Sequence, residues 1–422
     1  MDTTTQHTNQ FKNSALGLIP ENWNIKTLGE VTDYIKGFAF SSRDYETEGV
    51  RIIRISDTTS NSIKEEGAIY MNIDDAPKYK KWELELNDLV FTTVGSRPPM
   101  YDSMVGKVIK IEDKFRGSLL NQNAVIIRSK EFTNQNFVFN QFKVKRYLDF
   151  IETIVRGNAN QVSITLDNLF KYPLLFPPLP EQKAIADCLS TWDKAIEKQT
   201  VLIAKKELSK KALMQQLLSG KKRQKGFEKK WEVKPLTELL IYTPREIDKP
   251  KISFLALGLR SHGKGVFHKN DFDPKAIAMD KLYVVKENDL VINITFAWEQ
   301  AVAIASKKDE GGLVSHRFPT YTFNNKNANS LYFKFFILGS KFKSMLDLIS
   351  PGGAGRNRVM SKKDFLKLEI KIPEIEEQTA IANVLQCADT EIQLLKNKLA
   401  QLKEQKKGLM QVLLTGKKRL EY

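Results

Sequence analysis

The chain carries one passage twice, and nothing else in it constrains the fold as strongly. The segment from Glu181-Gln182-Lys183-Ala184-Ile185-Ala186 to Leu213-Met214-Gln215-Gln216-Leu217-Leu218-Ser219-Gly220-Lys221-Lys222-Arg223 returns as Glu377-Gln378-Thr379-Ala380-Ile381-Ala382 through Leu409-Met410-Gln411-Val412-Leu413-Leu414-Thr415-Gly416-Lys417-Lys418-Arg419. The offset is 377 − 181 = 196 at one end and 419 − 223 = 196 at the other. About 20 of roughly 43 aligned positions are identical, which marks duplication rather than shared composition. Such a chain is expected to have pseudo-two-fold symmetry and to offer a partner the same surface twice.

Weaker echoes lie upstream. Trp23, Lys26 and Leu28 match Trp231, Lys234 and Leu236 at an offset of 231 − 23 = 208, and Asn87-Asp88-Leu89-Val90 recurs as Asn288-Asp289-Leu290-Val291 at 288 − 87 = 201. The interior of each repeat has drifted by insertion and deletion while its closing segment has not.

Short β-type runs separated by turn signals fill the first half: Val50 to Ile55, Asp88 to Val94, Val105 to Ile111 and Ala124 to Ile127, followed by a helical stretch from Phe137 to Ile154. The second half repeats the plan with Phe254 to Leu257, Leu290 to Ile294, Ala301 to Ala305 and Thr320 to Phe323, then a helix from Ser330 to Leu348. Each half therefore reads as a mixed body closed by a proline-marked boundary and a long helix. The expected division is a tail over 1–18, a first body over 19–172, a first helix over 173–223, a second body over 224–372 and a second helix over 373–422.

In the second helix Ile381, Leu385, Ala388, Ile392, Leu395, Leu399, Leu402, Leu409 and Leu413 follow steps of four and three, interrupted at Lys406. The first carries Ile185, Leu189, Trp192, Ile196, Ile203, Leu213 and Leu217 in the same register, with Gln199, Lys206 and Lys210 interrupting. Gly220 and Gly416 stand where a C-terminal cap belongs, and each Lys-Lys-Arg that follows suits the negative end of a helix dipole. The expected fold class is thus α+β, two mixed α/β bodies joined by two long antiparallel helices that form a coiled coil. In that arrangement the bodies stand at opposite ends of a rod, as in a caliper. The alternative is that each helix packs on its own body.

A formal charge of +16, from 66 Lys and Arg against 50 Asp and Glu, calls for a polyanionic partner such as nucleic acid, although lysines that merely solvate helix faces contribute to it. Cys188 and Cys387 form no disulfide framework or zinc spacing and read as small core hydrophobes in a reducing compartment. The polar stretch Met1 to Ser14 lacks the apolar core of a signal peptide, and no apolar run reaches the length of a membrane span, so a cytoplasmic location is expected.

No catalytic motif is complete in this sequence. Gly258-Leu259-Arg260-Ser261-His262-Gly263-Lys264-Gly265 approaches a phosphate loop, but Gly265 replaces the hydroxyl that would hold magnesium. Pro351-Gly352-Gly353-Ala354-Gly355-Arg356-Asn357-Arg358 lacks dinucleotide-loop spacing and reads instead as a loop able to enter a groove. Arg97-Pro98-Pro99-Met100 and Phe176-Pro177-Pro178-Leu179 both lack the acid or amide ahead of the prolines that an amino-methyltransferase tetrad needs. His7, His262, His268 and His316 form no ligand spacing and no triad, and Glu369-Ile370-Lys371 has no partner carboxylates for a metal. The chain reads as a binder without a catalytic or metal site of its own.

Several passages together resemble the specificity subunit of type I restriction-modification systems. They are Gly37-Phe38-Ala39-Phe40-Ser41-Ser42 leading into Gly49 to Ile55, Asn87 to Val90, Leu120-Asn121-Gln122-Asn123, Gly157 to Ile164, Pro177 to Gln182 and Leu213 to Gly220. The likeness spans about Ile19 to Leu420, and the duplicated Glu-Gln helix is its most specific part. The second body departs from the commonest motifs at Asn293 to Gln300 and Ser315 to Phe318, which limits transfer of base contacts.

The resemblance implies that the bodies are target-recognition domains, each reading one half of a split, asymmetric double-stranded DNA site. The paired helices would set the gap. Two copies of a methyltransferase subunit, which carry the S-adenosylmethionine, would dock on the duplicated helices and methylate adenine; translocating nuclease subunits are a further partner class, and a related system without them is the alternative. A second rival is a coiled-coil scaffold with no sequence-specific DNA role. Base readout draws on Arg, Asn, Gln and His in loops and phosphate positioning on Lys and Arg. The first body's candidates are Arg97, Arg116, Asn121, Gln122, Arg156, Asn158, Asn160 and Gln161, with Lys78, Lys80 and Lys81 for phosphate. The second body's are Arg260, His262, Lys264, Trp298, His316, Arg317, Arg356, Asn357 and Arg358. Gln182, Leu217, Gly220, Gln378, Leu413 and Gly416 are the candidate partner contacts.

Overall fold

The computed structural model describes residues 10–59, 62–97, 100, 103–157, 161–352 and 358–420. The chain divides into two compact units, one of Met1–Lys198 with Leu399–Tyr422 and one of Gln199–Lys398. The helices Leu179–Leu217 and Ile375–Leu413, of 39 residues each, both pass from one unit into the other.

In the first unit a four-stranded antiparallel sheet runs in the order Thr32–Lys36, Ala124–Ser129, Leu89–Thr92, Val108–Lys110. Its apolar face, with Leu89, Phe91, Val125 and Ile127, packs against the helices Gln135–Gln141 and Lys145–Ile154. A three-stranded sheet of Leu119–Leu120, Val50–Ile53 and Ile69–Met71 carries a second small core around Phe40, Ile52 and Met71.

The second unit repeats the four-stranded sheet as Leu240–Tyr242, Thr320–Phe323, Leu290–Ile292, Val302–Ile304. Its partner sheet has drifted further, to five strands in the order Glu246–Asp248, Lys281–Val284, Leu313–Val314, Phe254–Leu259, Val266–Phe272. The first change of offset, from 208 to 201, falls here: the sheet held against the helices is kept, and the outer one is rebuilt.

The repeated Asn-Asp now has a physical account. Asn87 and Asn288 sit at φ +70 and +66, a left-handed turn position that Asn tolerates better than most residues. Asp88 and Asp289 are buried, cap that turn through the backbone N–H groups of Glu85 and Lys286, and pair with Arg128 and Arg245.

Two expectations change. The helix read over Phe137 to Ile154 is two helices broken at extended Val144, and that over Ser330 to Leu348 is broken at Gly339, each break aiming the second helix back over the sheet. As its incomplete motif implied, the loop Gly258 to Gly265 is no phosphate loop: it joins two antiparallel strands, Phe254–Leu259 and Val266–Phe272, and lacks the strand-to-helix context. Cys387 is exposed and so is not a core residue, whereas Cys188 is half-buried and packs against the core around Ile185 and Leu189.

The heptad interruptions are cross-helix polar pairs. Within the first unit buried Lys406 pairs with Asp193; within the second Lys210 pairs with Asp389, Lys206 Nζ lies 2.6 Å from Glu391 and Gln199 Nε2 donates to the Leu395 carbonyl at 3.0 Å. Residue numbers rising on one helix meet numbers falling on the other, so the pairing is antiparallel in each unit. Each helix also packs its first turns on the body that precedes it: Ile185 and Leu189 join Trp23 and Phe137, and Ile381 and Leu385 join Trp231 and Tyr332. Helix pairing and packing on the body coexist.

Candidate nucleic-acid interface and the helix-end locks

In each body the strand that begins with the repeated Leu-Val runs into a strap to which the other loops are tied. In the first body the strap is Thr93 to Arg97. Its Val94–Gly95 pairs with Val162–Ser163, Thr93 bonds the Asn123 carbonyl through its backbone N–H at 2.9 Å, and the Arg97 guanidinium donates to the Gly157 carbonyl at 2.9 Å. Arg97, Gln122, Arg156 and Gln161 are all exposed on segments joined this way. Asn158 and Asn160 lie outside the described residues.

The second strap is Ile294 to Gln300. The hairpin tip is stapled to it by His262 N–H to the Glu299 carbonyl at 2.7 Å, Gly263 N–H to the Gln300 carbonyl at 3.0 Å and the Ser261 hydroxyl to the Glu299 carboxylate at 2.5 Å. Arg317 reaches Thr295 Oγ1 at 3.2 Å, and Met360 N–H bonds the Ile294 carbonyl at 2.8 Å. Arg358 stacks over Trp298 at 5.1 Å, held by the Ser350 carbonyl and Asp347. Arg260, His262, Lys264 and Arg317 stay exposed, as does His316 beside a small hollow formed with Tyr242 and Phe318. Arg356 and Asn357 lie outside the described residues. Arg97 and Trp298 occupy matching strap positions, 298 − 97 = 201.

The remaining first-body candidates separate. Asn121 is buried, its amide donating to Tyr45 Oη at 3.2 Å and its oxygen accepting the Gln122 N–H, so it shapes the loop and has no edge to offer a base. Arg116 is exposed at the end of the turn Asp113–Phe115. Lys78, Lys80 and Lys81 are exposed on the 3-10 helix Ala76–Trp82, whose Tyr79 and Trp82 pack with Phe38 and Phe40 at ring separations of 4.4 to 6.1 Å. Residue spacing gave no signal for that four-ring cluster, because its members lie on two distant segments.

At the helix ends two buried glutamates act as locks. Glu181 accepts from Trp23 Nε1 at 2.9 Å and from the Arg419 guanidinium; Glu377 accepts from Trp231 Nε1 at 3.0 Å and from Arg223 Nε at 2.6 Å. The arginine closing each Lys-Lys-Arg cluster is thus the ion-pair partner of a buried glutamate, a more specific use than the dipole role expected of it. In each case it comes from the end of one helix and the glutamate from the start of the other.

This duplicated geometry matches a known one. The profile of the type I restriction modification DNA specificity domain covers residues 20–205 and again 228–404. The chain belongs to this family. It is a specificity subunit, non-catalytic, of a type I restriction-modification system. Over 97% of both chains it is 27% identical to a specificity subunit assigned to the MjaX type I restriction enzyme of Methanocaldococcus jannaschii, and 24% identical to the MjaVIII specificity subunit of the same organism, over 96% of this chain and 94% of that one. Its fold is similar to the crystal structure of the type I S subunit from M. genitalium, with a TM-score of 0.56, 15% identity and coverage of 93% and 96%. Among the described residues of this specificity subunit no helix is long and apolar enough to cross a membrane, and no cluster of His, Cys, Asp or Glu is placed to hold a metal ion.

Four expected partner contacts of the specificity subunit are consumed by its own fold. Leu217 and Leu413 are fully buried in the two cores. Gln182 and Gln378 are fully buried too, accepting the N–H of Asn134 and Asn329 and donating to the carbonyls of Pro177 and Pro373. Gly220 lies against the Trp231 indole and Gly416 against Pro20 and Trp23. The repetition of these residues preserves the joint between helix and body.

Proposed function

We propose that this specificity subunit reads a bipartite, asymmetric double-stranded DNA site, one half with each body, and docks two copies of an adenine methyltransferase subunit that supplies S-adenosylmethionine. The paired helices set the interval between the half-sites. Nuclease subunits that translocate DNA are a further partner class, joining through the methyltransferase complex. The observation that carries this reading is the pair of straps: the same scaffold presents Arg97, Gln122, Arg156 and Gln161 in one body and Arg260, His262, Lys264, Trp298, His316, Arg317 and Arg358 in the other. Different side chains on a common frame are what two unlike half-sites require. The exposed cations position the backbone, and Arg, Gln and His address base edges in the major groove.

Lys78, Lys80, Lys81 and Arg116 supply further phosphate contacts at the first half-site. Fluorescence anisotropy with DNA carrying one half-site at a time tests the assignment. Arg97→Ala weakens binding at one half and Arg317→Ala at the other; equal loss at both halves from either substitution refutes it.

A further inference from the structure

The two units are built alike, yet the faces they present beside the paired helices differ in chemistry. Asn134 and Asn329 cap matching helices through Phe137 and Tyr332 N–H groups, and both bond the helix-start glutamine, so they are equivalent. Counting from them, Asn136 and Lys143 correspond to Leu331 and Leu338. Strand pairing makes Lys110, opposite Leu89, correspond to Ile304, opposite Leu290. A polar trio in one unit is therefore an apolar trio in the other.

In the first unit Lys406 pairs with Asp193, Lys143 Nζ lies 3.9 Å from the same carboxylate, and Lys110 Nζ is bonded to Asn136 Oδ1 at 3.1 Å. Two ammonium groups, of Lys406 and Lys143, share the Asp193 carboxylate, and Lys110 stands beside them across the Phe139 ring, which lies 4.0 Å from Lys143 and 5.6 Å from Lys110. Burial chiefly, and then the neighbouring Lys406, push the Lys143 amine down to about 8.

In the second unit Lys210 and Asp389 pair one to one, and beside them opens a cavity of about 720 Å³. Met214, Leu218, Phe336, Leu338 and Met345 line it, and exposed Lys211, Lys341 and Lys371 stand among the lining residues.

We infer that the two faces hold the two methyltransferase copies by different forces, so that the copies are inequivalent. This rests on the reading that such a subunit docks on each unit. The shared feature is positive charge, which selects an acidic, amphipathic segment of the partner. The second unit adds an apolar cavity for that segment's apolar face, and the first offers charge without the equivalent leucines. Apolar burial is insensitive to moderate salt, whereas attraction between an acidic partner and the exposed Lys143 is screened. The copy at the first unit is the one lost as ionic strength rises.

The test is native mass spectrometry and sedimentation of the full chain with its purified cognate methyltransferase subunit, between about 0.1 and about 1 M ionic strength, where the screening length falls from about 10 to about 3 Å. Two bound copies at the low end and one at the high end are expected. Leu338→Lys makes the resistant copy salt-sensitive, so that none remains at the high end, and Lys110→Ile with Lys143→Leu shifts loss of the sensitive copy to higher salt. Simultaneous loss of both copies from the unsubstituted chain, or Leu338→Lys leaving the resistant copy in place, overturns the inference. Failure to bind any copy at low ionic strength overturns the docking assignment beneath it.

Discussion

Arg419 Nη2 donates to Glu181 Oε2 at 2.6 Å across 238 residues of sequence, and the glutamate side chain is 0% exposed. The matching pair, Arg223 and Glu377, is less enclosed, with the arginine 28% exposed against 10% for Arg419. Removing one member of a buried pair leaves the other charge without compensation, at a cost of about 3–5 kcal/mol. Glu181→Ala falls in that range, with Trp23 Nε1 also orphaned. Glu377→Ala costs less, because Arg223 can turn to water. Denaturant unfolding followed by tryptophan fluorescence checks the order of the two.

The helix-closing glycines differ in the same sense. Gly220 and Gly416 have φ +70 and +71, so an alanine at either is strained by about 1–2 kcal/mol. At Gly416 a Cβ would lie 2.5 Å from Pro20, whereas at Gly220 its nearest neighbours are the Trp231 ring atoms at 3.4 Å. Gly416→Ala is therefore the more damaging, and differential melting of the two variants reads this directly.

Arg260 and Arg358 separate binding from stability. Arg260 is exposed near the hairpin tip, while Arg358 holds the Ser350 carbonyl and Asp347 and stacks on Trp298. Arg260→Ala lowers DNA affinity and makes the slope of log affinity against log salt shallower by about 1 for each phosphate it leaves unneutralised, with the melting temperature unchanged. Arg358→Ala lowers both affinity and melting temperature. Anisotropy titrations across salt, paired with thermal unfolding, distinguish them.

Lys143 gives a pH signature. Its folded pKa is lowered to about 8 from the ordinary 10.5, chiefly by burial and then by Lys406. Between those values the unfolded chain binds more protons than the folded one, so stability from this group rises with pH. It is fully present above about 10.5 and lost as pH falls through about 8. With a third of the side chain exposed, water moderates the effect. Relative to a Lys143→Met variant, the unsubstituted chain gains stability as pH is raised from about 7.5 to about 10. A difference independent of pH in parallel melts contradicts this.

The repeat, the long helices and the strands of the sheet packed on them were legible in the sequence because their apolar periodicity is local and was written twice. The roles of the most conspicuous identical residues were not. Gln182, Gln378, Leu217 and Leu413 stand out as a repeated surface, but burial makes them a joint, and burial is a property of the assembled core. Trp23 and Trp231 were visible as an echo without a partner, since their glutamates lie more than a hundred residues away. Lys406 and Lys210 broke the heptads for a reason visible only across the helix pair, where each meets an aspartate. The straps were hardest to see, because backbone hydrogen bonds rather than side-chain types hold them together.

The central claim is that two unlike readers in one chain each recognise half of a split site. The most direct measurement maps methylated adenines in random-sequence DNA exposed to the complex of this subunit with its cognate methyltransferase, for the unsubstituted chain and for Arg317→Ala. The account predicts two unlike half-sites at a fixed interval, with Arg317→Ala relaxing the sequence at one half and leaving the other intact. A single uninterrupted motif, or relaxation of both halves together, would contradict it.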